Sequence, residues 1–223
     1  MPANQHPVVL PADALLGPDA VLVDANIDIV NAMYAELLGE DEIALNALRS
    51  YYVDFYLTES LEGGFAQYVV SAGDREGLDS LVRDGLREMG AARHLELFDA
   101  AAKAFDALSD DDAEAYLVGD GEPSAAVAAI EALDDEFEEI LESEDIVVLN
   151  GAWLRGQEGL LALDDEGIEE EIARRVGLVP DLEERRAQAE ALAADLDGEF
   201  DDDESDDREF DDESGEAAEV QQR

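Results

Sequence analysis

From Asp24 onward, apolar residues recur every three or four positions. Ile27, Val30, Tyr34 and Leu37 share one helical face, and Gly39 supplies a stop. Between about Asp41 and Tyr56, Leu45, Leu48, Tyr52 and Phe55 do the same. In LTESLEGGFAQYVVSAGD, Ser60 or Gly63 starts a turn, and Phe65, Tyr68 and Val69 fit a short helix ending near Gly73. Asp74 caps the next helix, which carries Leu78, Leu81, Val82 and Leu86 and stops at Gly90. Leu95, Phe98, Ala102 and Phe105 define another, and Asp110, Asp111 and Asp112 open a short one holding Tyr116 and Leu117. Ser124 caps a long helix from about Ala125 to Leu141, with Val127, Ile130, Leu133 or Phe137, and Leu141 on its apolar face. Residues 146–149, IVVL, read equally as a strand or a buried helical turn, because a four-residue apolar run has no decisive period. A helix near Asp164–Val176 ends at Gly177, and Pro180 marks a break.

The expected fold is therefore all-α. A compact multi-helix domain over 23–180 follows a proline-rich, extended N-terminal arm over 1–22, which holds Pro2, Pro7, Pro11 and Pro18. One additional helix is expected over 181–196. Residues 197–223 are expected to form a disordered acidic tail, since 197–216 contain 13 acids and one Arg and little to bury.

Charge changes the picture. The net charge is −47, from 60 acidic and 13 basic residues. Residues 181–223 hold 19 acids and 4 bases, so residues 1–180 hold 41 and 9, a net of −32. A globule of this size exposes on the order of 10,000 Å², so its net charge density is about half that of a DNA cylinder. Such a surface repels nucleic acid and anionic lipid, and neither is an expected direct partner.

The same residues exclude much chemistry. There is no cysteine for a disulfide, a thiol nucleophile or a thiolate metal site. Only His6 and His94 offer imidazole, and Lys103 is the sole lysine. His94, in RHLELF, reads as a partly exposed helix histidine rather than a base, and the three aspartates at 110–112 lack the closing glutamate of an EF-hand loop. No metal site, cofactor or enzymatic activity is expected. No apolar run approaches the roughly 20 residues of a membrane span, and the first residues lack a basic leader, so the expected location is the cytoplasm.

Acid spacing on the 125–142 helix is more informative. Glu131, Asp135, Glu138, Glu139 and Glu142 recur at three- and four-residue intervals, which places neighbours about 5–6 Å apart at Cβ. Like charges at that spacing cost a helix a few tenths of a kcal/mol per pair, so folding alone does not favour them. These five are the candidate partner-binding residues. A solvated outer face under a general acidic bias is the plainer alternative.

A glycine pair followed by Phe, a spacer, Gln and an aromatic stands at Gly63, Gly64, Phe65, Gln67 and Tyr68. Met89-Gly90-Ala91, the Phe98–Leu108 stretch and the run Leu133-Asp134-Asp135-Glu136-Phe137 follow it. In these features, over about 41–160, the chain resembles the bacterial DNA-mimic protein family. It departs from the family at Glu62, where Asn is common, and at Val69-Val70-Ser71. The resemblance implies an all-α domain, often a homodimer, whose acids occupy the DNA-binding face of a transcription regulator or other basic DNA-binding protein. The glycines and aromatics of the motif set the fold and do not bind the partner. The competing expectation is an acidic all-α protein adapted to high salt, suggested by one lysine against 12 arginines and by acids in every segment. Deleting 197–223 is expected to leave helical content and thermal stability nearly unchanged, as circular dichroism and a melting curve would show.

Overall fold

The computed structural model describes residues 6–119 and 123–201, the last seven of these by backbone alone. It divides into two compact units, Met1–Pro180 and Asp181–Arg223.

The first unit contains eight α-helices among its described residues: α1 Asp19–Ala35, α2 Leu45–Ala72, α3 Arg75–Glu88, α4 Ala92–Phe105, α5 Asp110–Val118, α6 Ala125–Leu141, α7 Ile146–Arg155 and α8 Asp165–Val176. The expected caps are present. Asp74 accepts from the Glu76 amide at 3.3 Å, and Ser124 Oγ accepts from the Val127 amide at 3.3 Å. The three aspartates at 110–112 start α5 under a Ser109 cap, where they complement the helix dipole. The run 146–149 is helical. Asp145 caps it through the amides of Val147 and Val148, and Ile146 and Asn150 face inward.

The extended arm expected over 1–22 is shorter in the structure: residues 6–11 are non-helical and tied into the fold, whereas Ala14–Leu16 form a 3-10 turn and α1 already begins at Asp19, just after Pro18. Val8, Val9 and Leu10 are buried. β1 (Val9–Pro11) pairs in parallel with β2 (Leu161–Leu163), Val9 opposite Leu161. Two arginines fasten this end. Arg175 donates to the Pro7 carbonyl at 2.8 Å and to Glu171 at 2.9 Å. Arg155 donates to the carbonyls of Leu15 and Gly17 and pairs with Asp19.

The core forms around α2, which packs against α1, α3, α5, α6 and α7. Aromatic residues are only 6% of the chain, yet they concentrate here. Tyr56, Phe65, Tyr68, Phe98 and Phe137 are buried and meet mostly edge to face, with ring centroids 5.0 Å apart for Tyr56–Phe98 and 5.6 Å for Tyr56–Phe137. That geometry adds about 0.5–1.5 kcal/mol per pair beyond area burial. Phe65 and Tyr68 are thus core residues. The buried Asp79 satisfies the Tyr68 hydroxyl at 2.8 Å and pairs with Arg75 and Arg83, whose guanidinium groups lie over Phe65, Phe105 and Phe98.

The sequence pattern predicts two helices between Asp41 and Gly73. The structure has both: α2 begins at Leu45, and its two helical halves meet at Gly63 and Gly64, whose backbone is not helical. Gly64 has φ +67°, and a Cβ there would stand 2.6 Å from Asp134 Oδ2. The break frees the amide of Phe65, which donates to Asp134 Oδ1 at 2.8 Å. Asp134 on α6 therefore caps the second half of α2. Gln67 spans the break from the other side, donating to Glu59 at 3.1 Å.

The second unit holds α9, Leu182–Asp201, among its described residues. This helix runs past Asp197 into the segment expected to be a disordered tail. The remainder of that segment, 202–223, lies outside the described residues.

Gly64→Ala is expected to cost about 3 kcal/mol, from the left-handed backbone and from displacement of Asp134. Gly119→Ala, in the left-handed helical conformation with nothing within 4 Å, should cost only about 1 kcal/mol. Urea unfolding of both variants measures the difference, and equal costs would show that the Asp134 contact is immaterial.

Candidate functional site: an acidic face on α6

α6 buries Val127, Ile130, Phe137 and Ile140, while Leu133 and Leu141 are half-buried. That stripe packs on α4, α2 and α5. The opposite side faces solvent, and Glu131, Asp135, Glu138, Glu139 and Glu142 are all exposed there. At 100° per residue, Glu131, Asp135, Glu138 and Glu142 fall within about 60° of one another around the axis. Glu139 flanks this stripe. Glu136, outside the three- and four-residue series, is exposed on the rim facing α4.

These six exposed carboxylates occupy eleven residue steps, about 16 Å of axis, which is a mean spacing of about 3.3 Å. DNA carries one phosphate per about 3.4 Å along a strand and per about 1.7 Å over both. The axial spacing on α6 is close to that of a single DNA strand.

The wider charge distribution sharpens this. Between Lys103 and Arg155 there are 51 residues with 16 acids and no Lys, Arg or His. Most arginines before this block are held in ion pairs, among them Arg49 with Asp84 at 3.0 Å, Arg83 with Asp99 at 2.6 Å, and Arg87 with Asp84 at 2.5 Å, while Arg93 donates to Ser143 Oγ. Among the described residues, Asp106 is the one acid of the block in a salt bridge, with Arg75 at 3.2 Å. Asp110, Asp111 and Glu114 on α5 extend the exposed acidic face. A count of acids between successive bases would have found this block in the sequence.

Two half-buried acids have raised pKa values. Burial raises the pKa of Asp134, and nearby Asp135 and Glu131 add to the rise, while the hydrogen bond from the Phe65 amide opposes it. Burial also pushes Asp54 on α2 up to about 6, with Asp24 contributing.

His94 is a correction. It is fully buried rather than partly exposed, with Nε2 donating to the Glu144 carbonyl at 2.9 Å and its ring 5.5 Å from Phe137. Burial lowers its pKa, so it sits neutral between the start of α4 and the α6–α7 turn. The Glu144 carboxylate receives the backbone amides of Arg93 and His94.

The sequence model of the family described as DMP19-like protein matches residues 41–157. The chain belongs to the DMP19-like protein family. The match runs from just before α2 to the turn after α7 and supports a DNA-mimic-like domain. It includes the whole base-free block. No curated protein and no solved structure matches the chain. The geometry explains the shared motif. Gly63 leaves room for Gln67, whose Cβ would stand 2.9 Å from an added methyl. Gly64 admits Asp134, Phe65 receives the cap, Gln67 holds the break, and Tyr68 anchors Asp79. The two separated parts of the resemblance, GGF and LDDEF, thus meet at one hydrogen bond. No helix among the described residues is long and apolar enough to cross a membrane.

Asp54 gives a pH test. A carboxyl with a folded pKa above its unfolded value opposes folding once ionised, so its contribution falls as pH rises from about 4 to 6. Asp54→Asn should stabilise the protein by roughly 2 kcal/mol at pH 7, allowing for its partial exposure, and have little effect at pH 4. Denaturant melts at the two pH values check this.

Proposed function

We propose that this protein acts in the cytoplasm as a DNA mimic. It is a non-catalytic binding protein whose α6 stripe occupies the basic DNA-binding surface of a transcription regulator or other DNA-binding protein. The observation that carries this reading is the base-free block of 104–154. Family membership supports the same reading in kind.

The physical basis is electrostatic. An unpaired carboxylate row attracts a basic surface evolved to meet phosphates, and it speeds encounter at ordinary ionic strength. The same field repels DNA itself, so the protein competes by occupying the DNA-binding protein. Neighbouring acids on α6 weaken that helix in isolation. Packing of Val127, Ile130, Phe137 and Ile140 offsets that weakness.

Adaptation to concentrated salt is a second reading, favoured by the single lysine and by acids in elements far from α6, such as α8. The two diverge at about 0.15 M salt, where the Debye length is about 8 Å against about 3 Å at 1 M. The mimic should displace fluorescent duplex DNA from at least one member of a panel of basic DNA-binding domains. Replacing Glu131, Asp135, Glu138 and Glu142 with their amides should weaken displacement at least about tenfold, given about 0.3–1 kcal/mol per exposed charge pair. No displacement from any member would remove the mimic reading.

A further inference from the structure

α4 and α6 pack along their lengths and leave a groove of about 160 Å³ between them. Its floor is apolar: Leu97 and Ile140 are buried, Leu133 is half-buried, and Ala100 is exposed. Glu96 rises from the α4 wall and Glu136 from the α6 wall, both exposed and neither in a salt bridge among the described residues. Arg93 closes one end, where its guanidinium donates to Ser143 Oγ.

We propose that this groove receives an arginine side chain of the basic partner, with the guanidinium between Glu96 and Glu136 and the methylene stem on Leu97, Ala100 and Leu133. The assignment rests on size and on charge complementarity. Pockets for cofactors and drug-sized ligands run from about 300 to 1,000 Å³, so this one suits a single long side chain. An apolar floor under a carboxylate rim matches a side chain with an apolar stem and a charged head. Carboxylates on facing walls favour a flat, weakly hydrated guanidinium with several donors over the compact ammonium of lysine. The cation at the groove, Arg93, is drawn to the Ser143 end, which leaves the stretch beside Glu96, Glu136 and Ala100 to a second one.

The surroundings supply the rest. Glu139 lies between the exposed α6 stripe and the groove, about 60° around the axis from Glu136, so a basic helix or loop lying over Glu139 would also reach the groove. Exposed charge pairs contribute little each, whereas a side chain seated in a pocket and desolvated on one face is the usual anchor of an interface. The groove would thus supply an anchor that a uniform acidic coat lacks. This inference rests on the DNA-mimic reading for its partner, but its chemistry is open to test without one.

The test is a titration of the full ¹⁵N-labelled chain with N-acetyl-arginine amide, with N-acetyl-lysine amide in parallel, at about 0.15 M salt. The expected result is saturable amide shifts confined to 93–100 and 133–140, with half-saturation at millimolar arginine amide and at least about threefold weaker binding of the lysine probe. The double variant Glu96→Gln/Glu136→Gln should weaken the arginine probe about fivefold or more. Ala100→Phe, which fills the groove from an exposed position and leaves every charge in place, should abolish the localised shifts. Shifts spread over all acidic helices without saturation would overturn the proposal, as would equal response to the two probes or indifference to both variants. DNA displacement separates this inference from the broader reading. If the Glu96→Gln/Glu136→Gln variant displaces DNA as well as the parent, the groove fails and the mimic reading stands. If arginine amide saturates the groove but the parent displaces no DNA from any partner, the mimic reading fails and the groove stands.

Discussion

A single hydrogen bond organises the first unit. The Asp134 carboxylate on α6 accepts the Phe65 amide that the break in α2 sets free. Without the break, α2 would have no open amide at that point. Without Gly64, the carboxylate would have no room. The contact fixes α6 against the central helix and aligns Phe137 with Tyr56. Once Asp134 points inward, its neighbours on the helix point outward. The display of Glu131, Asp135 and Glu138 follows from the turn of that helix about a buried stripe.

The arrangement separates two uses of charge. On the α3–α4 side, arginines are built into the fold. Arg75 and Arg83 lie over aromatic rings and share the buried Asp79. Losing one partner of such a buried set typically costs several kcal/mol, because an uncompensated charge remains. On the α5–α6 side, no base is available within the block, and the acids stand in solvent. Their mutual repulsion opposes folding, so the aromatic core and the Asp134 cap must carry that load. The separation makes the surface useful: a basic partner meets carboxylates that have no internal competitor.

Much of this was legible in the sequence wherever the cause is local. The caps at Asp74 and Ser124 and the exposed α6 row follow from residue type and the 3.6-residue period. What escaped depends on contacts distant along the chain. The β1–β2 pair joins residues about 150 apart through only three positions each, too short to announce itself by alternation. The glycine pair signals a turn, and α2 does break there, but the Gln67–Glu59 hydrogen bond that bridges the two halves and the Asp134 cap on the second are contacts that the local pattern does not announce. Asp134 reads like any other acid on α6 until the amide it meets is seen. The run at 146–149 was ambiguous because four apolar residues fit either period, and the Asp145 cap decides for helix. His94 looked half-exposed because its neighbours are polar, yet it lies beneath Glu144 and Phe137.

The central claim is that the negative field is uneven and greatest along α5–α6. The most direct measurement compares paramagnetic relaxation of backbone amides by cationic and anionic nitroxide probes in the free protein, which reads the potential near each amide. The largest cation excess is expected along 110–118 and 131–142, and a smaller one along 75–88, where Arg75, Arg83 and Arg87 are paired. A potential equal over both faces would contradict it, and the acids would then be a general coat.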